Sequence, residues 1–320
     1  MVIKRIFQFG SIILAGLLLA GTIGCGRGDR GAESDQPTVA LVMKTLNSPF
    51  FIDMQNGAQD AANRLGVKLI IQAAEREVDV EKQMQIVENL IQRKVAALCI
   101  TPSGSREIVP AIVKANETGI PVLIIDTRVD EATLLAAGGK FATFIGSDNF
   151  EGGRIAALYL AEKLGTGGKV AILEGIPGHE TGDSRLNGFH NVIDLLPEIE
   201  IVASQTANWE RAQGFNVFQN ILQSNPGVRA LFSCSDLMAL GAIEAIAQAG
   251  RTGEILVVSF DAITDGREAI AEGTLSGSVA QYPYEMGRIA IESAHRLITG
   301  GAVEEYIPTK IELITKEMLQ

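Results

Sequence analysis

The chain has 320 residues, of which 47% are hydrophobic and 20% are charged. This length and composition predict a globular protein with enough apolar residues for two domains. The formal net charge is −11. This negative charge argues against a nucleic-acid partner and against binding to an anionic membrane surface, because both require a positively charged protein surface.

The first residues have the pattern of an export signal. Lys4 and Arg5 precede the apolar run "IILAGLLLA" and the small residues of "GTIGC", which together predict a signal peptide over residues 1–24. The alternative is a membrane anchor, but the apolar run is short for one. "GTIGC" resembles the bacterial lipoprotein box, although Thr22 stands where that box usually has leucine. The resemblance implies lipidation of Cys25 and a periplasmic or cell-surface location.

Residues 25–37 are rich in Gly, Asp and Arg without apolar periodicity, and we expect them to form a flexible tether. Cys99 and Cys234 lie in apolar runs, which favours buried free thiols, with a disulfide between them as the alternative in an exported protein. The three histidines are scattered through the chain. Their spacing gives no metal-binding motif, and we expect neither a metal nor a cofactor.

From residue 39 onward, short apolar runs alternate with longer amphipathic segments. Apolar strands joined by helical crossovers predict parallel sheets with both faces buried, and so an α/β fold. Ser235 or Asp236 can cap the helix that ends before Gly250. We predict strands at 39–44, 67–72, 95–101, 121–126, 141–146, 169–174, 199–204, 228–233, 254–260 and 275–280, and helices at 50–65, 79–93, 105–118, 150–164, 184–196, 210–224, 236–249, 263–273 and 285–299.

The sequence repeats itself after roughly 130 to 135 residues. "TVALVM" recurs as "KVAILE", "VAALCITPSG" as "VRALFSCSDL", and "IPVLIID" as "EILVVSFD". The repeat predicts two similar doubly wound parallel-sheet domains joined by a three-strand hinge, with crossings near Ser147, Gln281 and Pro308. We expect one lobe over 38–147 plus 282–308 and the other over 148–281 plus 309–320. A ligand would bind between them, since open α/β sheets bind ligands at the carboxyl ends of their strands.

The residues at the predicted strand ends share one chemistry. Carboxylates and a guanidinium can form paired hydrogen bonds with neighbouring hydroxyls, and aromatic rings can cover the faces of a sugar ring. Each residue also has an ordinary structural explanation, such as a core aromatic, a turn aspartate or a solvated arginine, but their joint placement favours a site. The candidates are Lys44, Asn47, Ser48, Phe50, Phe51 and Asp126 in the first repeat, and Arg185, Trp209, Ser235, Asp236, Asp261 and Gln281 in the second.

Several segments resemble the periplasmic binding proteins of the ribose, allose and galactose type. "ALVMKTLNSPFFIDMQNGAQDAA", "IPVLIIDTRVD", "IGSDNFEGGRIAA", "ASQTANWERAQGFNVFQNIL", "DLMALGAIEAIAQAGRTGEILVVSFDAITDG" and "SVAQYPYEMG" follow the order of that family from about residue 39 to 316. The resemblance implies a monomer that closes around a monosaccharide or related polyol and delivers it to the permease of an ABC importer.

The resemblance also implies roles for single residues. Phe50 and Phe51 correspond to the aromatic pair that sandwiches the sugar from one domain, and Trp209 to the aromatic that covers it from the other. Lys44 stands where allose binders tend to have lysine and ribose binders serine. The residues that correspond to hydroxyl-binding positions are Asp126, Arg185, Asp261 and Gln281.

Three positions depart from the ribose-binding pattern. Ser48 and Ser235 replace asparagines, and Thr127, which we also expect to bind the ligand, stands where ribose binders have arginine after the aspartate. The two shorter side chains remove amide donors and leave room, which argues for a larger or differently hydroxylated ligand than ribose, or for a bridging water.

The same residues also suggest other functions. Asp126 and Asp261 could form the carboxylate pair of a glycosidase, but nothing near them indicates a raised pKa, and we expect no enzyme. A sugar-responsive repressor would carry a helix-turn-helix where this chain has its signal peptide. A ligand sensor that signals to a chemoreceptor or sensor kinase, or a binder of a small molecule other than a sugar, remains as the alternative.

Overall fold

The computed structural model describes residues 36–320. The predicted signal peptide (1–24), the predicted lipidation site at Cys25 and most of the tether (25–37) lie outside the described residues. Within residues 36–320, no helix combines the length and the apolar character needed to cross a membrane.

The described chain forms two six-stranded sheets. Their orders are β11-β5-β4-β3-β1-β2 and β12-β10-β9-β8-β6-β7, with parallel neighbours except for antiparallel β10 and β12. The shared order confirms two similar doubly wound α/β domains. The strands are β1 (Thr38–Thr45), β2 (Lys68–Ala74), β3 (Ala97–Ile100), β4 (Val122–Ile125), β5 (Thr143–Gly146), β6 (Gly168–Glu174), β7 (Ile199–Thr206), β8 (Val228–Ser233), β9 (Leu256–Asp261), β10 (Gly277–Ala280), β11 (Tyr306–Pro308) and β12 (Glu312–Thr315).

The nine predicted helices are all present, together with a tenth, α4, that was not predicted. The predicted start of α3 was four residues early and that of α6 four residues late. The helices are α1 (Pro49–Leu65), α2 (Val80–Gln92), α3 (Val109–Glu117), α4 (Glu131–Ala136), α5 (Asn149–Leu164), α6 (Glu180–Ile193), α7 (Arg211–Ser224), α8 (Asp236–Gln248), α9 (Thr264–Glu272) and α10 (Pro283–Ile298).

The chain passes between the two sheets three times. It leaves the first sheet after β5, leaves the second after β10, and crosses again between β11 and β12. We call each sheet with the helices packed on it a lobe; α10 packs on β1, β3 and β4 of the first lobe, and α5 packs on β9 and β10 of the second. The three-strand hinge is therefore confirmed, whereas the exact residue boundaries of the lobes stay a prediction.

The central strands of each sheet are buried on both faces, because they are mostly apolar. In β1, Val39, Leu41 and Met43 belong to one hydrophobic cluster, while Ala40 and Val42 belong to another that includes residues of α2 and α3. Only the strand ends are left for polar function. This burial explains why the chemically active side chains gather at the carboxyl edges of the sheets.

Candidate functional site

The turn from β1 into α1 places two aromatic rings at the end of the first sheet. Ser48 is the extended residue before the helix, and Pro49 is the first helical residue, a position at which the fixed φ of proline fits. Phe50 and Phe51 follow, both buried, with their rings in edge-to-face contact at a centroid separation of 5.3 Å. The sequence "NSPFF" thus aims the aromatic pair at the space beyond the strand.

The two aspartates at the ends of β4 and β9 have the same unusual backbone. Asp126 has φ 64° and Asp261 has φ 105°, in the left-handed region that non-glycine residues seldom adopt. Around Asp126 the strain closes a three-residue turn, in which the Thr127 N–H donates to the Ile125 carbonyl at 2.7 Å. Such strain is typical of functional positions. It turns both carboxylates into the space between the lobes.

Arg185 of α6 is fixed on several sides. Its Nη1 donates to the carbonyl of Cys234 at 2.7 Å and lies 3.3 Å from Oδ1 of Asp261, and its Nε donates to Oδ1 of Asn149 at 2.9 Å. Its guanidinium carbon also lies 3.8 Å from the centroid of the Phe260 ring. The guanidinium is therefore preorganised as a donor in the cleft.

Trp209 enters the cleft from the second lobe on a strained backbone. Its φ is 65°, and the indole ring packs directly over Gly175, where a Cβ would come within 1.9 Å of the ring. The ring is mostly buried, and its Nε1 donor has no hydrogen-bond partner among the described residues. Gly175 is thus the residue that makes room for the tryptophan.

Lys44, at the end of β1, lies between two carboxylates. Its Nζ is 3.6 Å from Oδ2 of Asp126 and 3.7 Å from Oε2 of Glu77. Both distances exceed those of a normal hydrogen bond. The ammonium group is therefore held by charge and keeps its donors available for another acceptor.

These side chains surround one cavity between the lobes. Ten of the thirteen candidate residues line it, together with three that we did not predict, Glu77, Thr181 and Leu237. Thr127 does not line it. The lining residues are Lys44, Ser48, Phe50, Phe51, Glu77, Asp126, Thr181, Arg185, Trp209, Ser235, Leu237, Asp261 and Gln281.

Thr127 supports the cavity from behind. Its hydroxyl lies 2.9 Å from Oδ2 of Asp126 and 2.8 Å from the hydroxyl of Thr181, and the side chain is fully buried. Thr127 therefore does not face the ligand space, contrary to the prediction from the sequence. It joins the two lobes instead and holds the Asp126 carboxylate in place.

Asn47 and Asp236, the other candidates at the strand ends, lie outside this cavity. Asn47 donates through Nδ2 to the Glu75 carbonyl at 2.8 Å, at the mouth of the cleft. Asp236 is fully buried and accepts from the Ser278 hydroxyl at 2.7 Å and the Ile263 N–H at 2.8 Å. It joins the segment that follows β9 to strand β10. Ser235 caps α8 by accepting from the Met238 N–H.

Burial shifts the pKa values of the cleft acids upward. Burial raises the pKa of Glu77 to about 7 against the lowering effect of Lys44, and raises that of Asp261 to about 6 against the lowering effect of Arg185. The expectation that nothing raises the pKa of Asp261 was therefore wrong, because the sequence does not show how deeply this carboxyl is buried. The pKa of His179 falls to about 3, because burial and the charge of Lys44 both disfavour its cationic form. A fully charged cleft would hold three carboxylates and two cations, so neighbouring charges do not cancel completely.

Contacts across the cleft join the lobes on each side of the cavity. Besides the Thr127 and Thr181 hydroxyls, the Ser105 hydroxyl accepts from the Glu180 N–H at 3.3 Å. At the mouth, Arg76 pairs with Glu210 at 2.9 Å. The described structure is therefore a closed arrangement of the two lobes. Among residues 36–320, no group of three His, Cys, Asp or Glu side chains is placed to hold a metal ion.

Known proteins are similar to this chain in sequence. The ribose import binding protein RbsB of Bacillus subtilis is 40% identical over 280 residues, which cover 88% of each chain. The D-allose-binding periplasmic protein of Escherichia coli is 36% identical over 254 residues, covering 79% of this chain and 82% of that protein.

A solved structure shares this fold. A periplasmic solute-binding protein of an ABC transporter from Actinobacillus succinogenes, with bound D-allose, superposes with a TM-score of 0.84 at 40% identity, covering 88% of this chain and 99% of that one. The sequence model of the family described as periplasmic binding protein domain matches residues 39–302. The chain belongs to the periplasmic binding protein domain family.

Proposed function

We propose that the chain is an exported solute-binding protein that captures a monosaccharide and delivers it to an ABC importer. The observation that carries this proposal is the lining of the cleft, where aromatic rings from opposite lobes flank a buried set of carboxylates and a fixed guanidinium. Rings suit the C–H faces of a pyranose, and charged groups form strong hydrogen bonds with its hydroxyls. The three relatives described above, which bind ribose or allose according to their names, support the same substrate class.

Each lining residue has a role in this proposal. Phe50 and Phe51 cover one face of the sugar and Trp209 the other. Lys44 and Arg185 donate hydrogen bonds to hydroxyls, and the carboxylates accept them. The other proposed contacts come from Ser48, Ser235 and Gln281, while Asp126 and Asp261 are the central acceptors and Thr127 holds Asp126 in place.

Capture requires the lobes to open and close. We propose that they rotate about the three crossing segments, as in other two-domain binding proteins. The contacts between Thr127 and Thr181 and between Arg76 and Glu210 would form on closure. Closing would remove water from the cleft and strengthen the charged hydrogen bonds.

The location and the partners follow from the same proposal. The signal peptide would direct export of the chain. The protein would act as a monomer, and lipid on Cys25 would anchor it to a membrane, within reach of the permease. A membrane sensor or chemoreceptor is the second candidate partner. We propose binding without catalysis, because each cleft carboxylate has a role as a hydroxyl acceptor.

Thermal unfolding with a panel of candidate ligands tests the function. Pentoses, hexoses, polyols and inositols are added singly, and a ligand present at one hundred times its Kd adds about 2.7 kcal/mol to the stability of the folded state. We expect a subset of the aldoses to raise the melting temperature, with a parallel change in Trp209 fluorescence. If amino acids or other non-sugars shift the transition and sugars do not, the sugar proposal is wrong.

A further inference from the structure

Glu77 is the charged residue of the cavity that the sequence pattern did not point to. It follows β2, the strand beside β1, and its side chain is 15% exposed. It lines the cavity described above and also a second cavity at the mouth of the cleft, which we call the outer cavity. Glu77, Ser48, Trp209 and Leu237 line both. Glu77 therefore marks the junction between the two spaces.

The polar groups at this junction have few partners of their own. The Glu77 carboxylate accepts no hydrogen bond from any of the described residues, and its nearest cation, the Lys44 ammonium, is 3.7 Å away. Ser48 begins α1 without a side-chain capping bond. An acceptor, an ammonium donor and a hydroxyl thus converge where the ring cavity meets the outer cavity.

A polar group of a ligand is the natural partner for this set. A largely buried carboxylate without hydrogen bonds costs free energy, and a hydroxyl placed between the two groups would accept from the Lys44 ammonium and donate to the Glu77 carboxylate. A sugar ring held between the aromatic residues would fill the inner cavity. A group attached to that ring would extend from it towards the outer cavity.

We propose that Glu77, together with Lys44, binds an exocyclic hydroxyl, so that the site prefers a hexopyranose to the pentopyranose of the same ring configuration. The inference rests on the proposed sugar-binding function and adds the class of sugar. The small Ser48 side chain leaves space for the extra CH2OH group at the junction. Glu77 is then a specificity-determining residue, not a general one for ring hydroxyls.

Matched pairs of sugars test this directly. D-allose and D-ribose, D-glucose and D-xylose, and D-galactose and L-arabinose differ, as pyranoses, only in the CH2OH group. Calorimetric titration of each into the wild type and Glu77→Gln gives the affinity ratio within a pair. We expect the wild type to favour the hexose of the pair it binds. The variant should lose about ten-fold or more in hexose affinity and change little towards the pentose.

The neighbouring Glu75 provides the matched control. It lines the outer cavity but not the inner one, and Glu75→Gln should leave both affinities unchanged. Equal losses for hexose and pentose in Glu77→Gln, or an unchanged ratio, would overturn the inference while leaving the sugar-binding proposal intact. Failure of every sugar to bind the wild type would instead overturn the proposed function, and this inference with it.

Discussion

At the scale of single residues, the cleft depends on side chains whose charges are only partly balanced. Lys44 forms ion pairs with both Asp126 and Glu77, while Arg185 forms one with Asp261. A carboxylate whose charge is not balanced costs free energy in a buried position. Burial therefore favours the neutral form and raises the pKa of Glu77 to about 7. A charge imbalance in the cleft makes its energetics sensitive to pH.

Glu77→Gln should change how stability depends on pH. The folded protein holds the Glu77 proton up to about pH 7, whereas the unfolded chain releases it near pH 4.3, the ordinary value for glutamate. A raised folded pKa contributes stability that is fully present below the unfolded pKa and is lost as the pH rises through about 7. The melting temperature of the wild type relative to Glu77→Gln should therefore increase from about pH 8 to about pH 5.

Thermal unfolding of both proteins without ligand, in buffers across this range, measures that difference. His179 titrates with the opposite sign, since its folded pKa is lowered, but it is present in both proteins and its contribution largely cancels. A difference that stays constant or decreases towards pH 5 would show that Glu77 is charged throughout.

At the scale of elements, helix pairs pack at distances that only glycine allows. A Cβ on Gly57 of α1 would lie 1.9 Å from the Tyr284 carbonyl oxygen of α10, and one on Gly287 of α10 would lie 1.9 Å from the Met54 oxygen. In the second lobe, Gly153 of α5 and Gly188 of α6 approach their partner backbones as closely. The repeat therefore extends from the strands to the way in which the helices pack.

Gly287→Ala should destabilise the first lobe by about 1–3 kcal/mol, because backbone atoms must move apart to admit the methyl group. Chemical denaturation with far-UV circular dichroism measures the loss. Gly227→Ala is the control, since its added Cβ would make only an ordinary contact of 3.6 Å with Lys169. A loss no larger than that of the control would mean that α1 and α10 can separate at little cost.

Most of the fold was predictable because long apolar strands and amphipathic helices carry strong periodic signals. The six-residue helix α4 and the short edge strands β11 and β12 are too short to show a repeated apolar pattern, and all three were missed. The rule that ligands bind at the carboxyl ends of parallel strands predicted ten residues that line one cavity. Glu77 was not predicted, because the segment "EREVD" has the composition of a solvated charged turn. The left-handed backbone of Asp126 and Trp209 corresponds to no sequence pattern either.

At the scale of the whole molecule, polar contacts join the two lobes on both sides of the cavity. The buried pair Thr127 and Thr181 lies behind the cavity, and the exposed pair Arg76 and Glu210 lies at its mouth. Small polar contacts of this kind can form and break as the lobes move, which suits reversible domain motion.

Arg76→Glu should weaken ligand binding by placing two negative charges at the mouth of the closed cleft. Most of the effect should appear as faster ligand dissociation, and it should diminish at high salt because both side chains are exposed. Stopped-flow fluorescence of Trp209 measures the rate. The double variant Arg76→Glu with Glu210→Arg restores opposite charges and should recover the slower rate. If the single variant dissociates as slowly as the wild type, the pair has no part in closure.

The left-handed backbone of Asp126 has a consequence for how this chain can change over time. Glycine adopts that conformation without strain, so replacing the aspartate would relax the turn while removing a carboxylate from the cleft. The turn would gain stability from that exchange, whereas Lys44 and Thr127 would lose the carboxylate that they contact. The strained backbone at Asp126 is therefore tied to the carboxylate that it presents to the cleft.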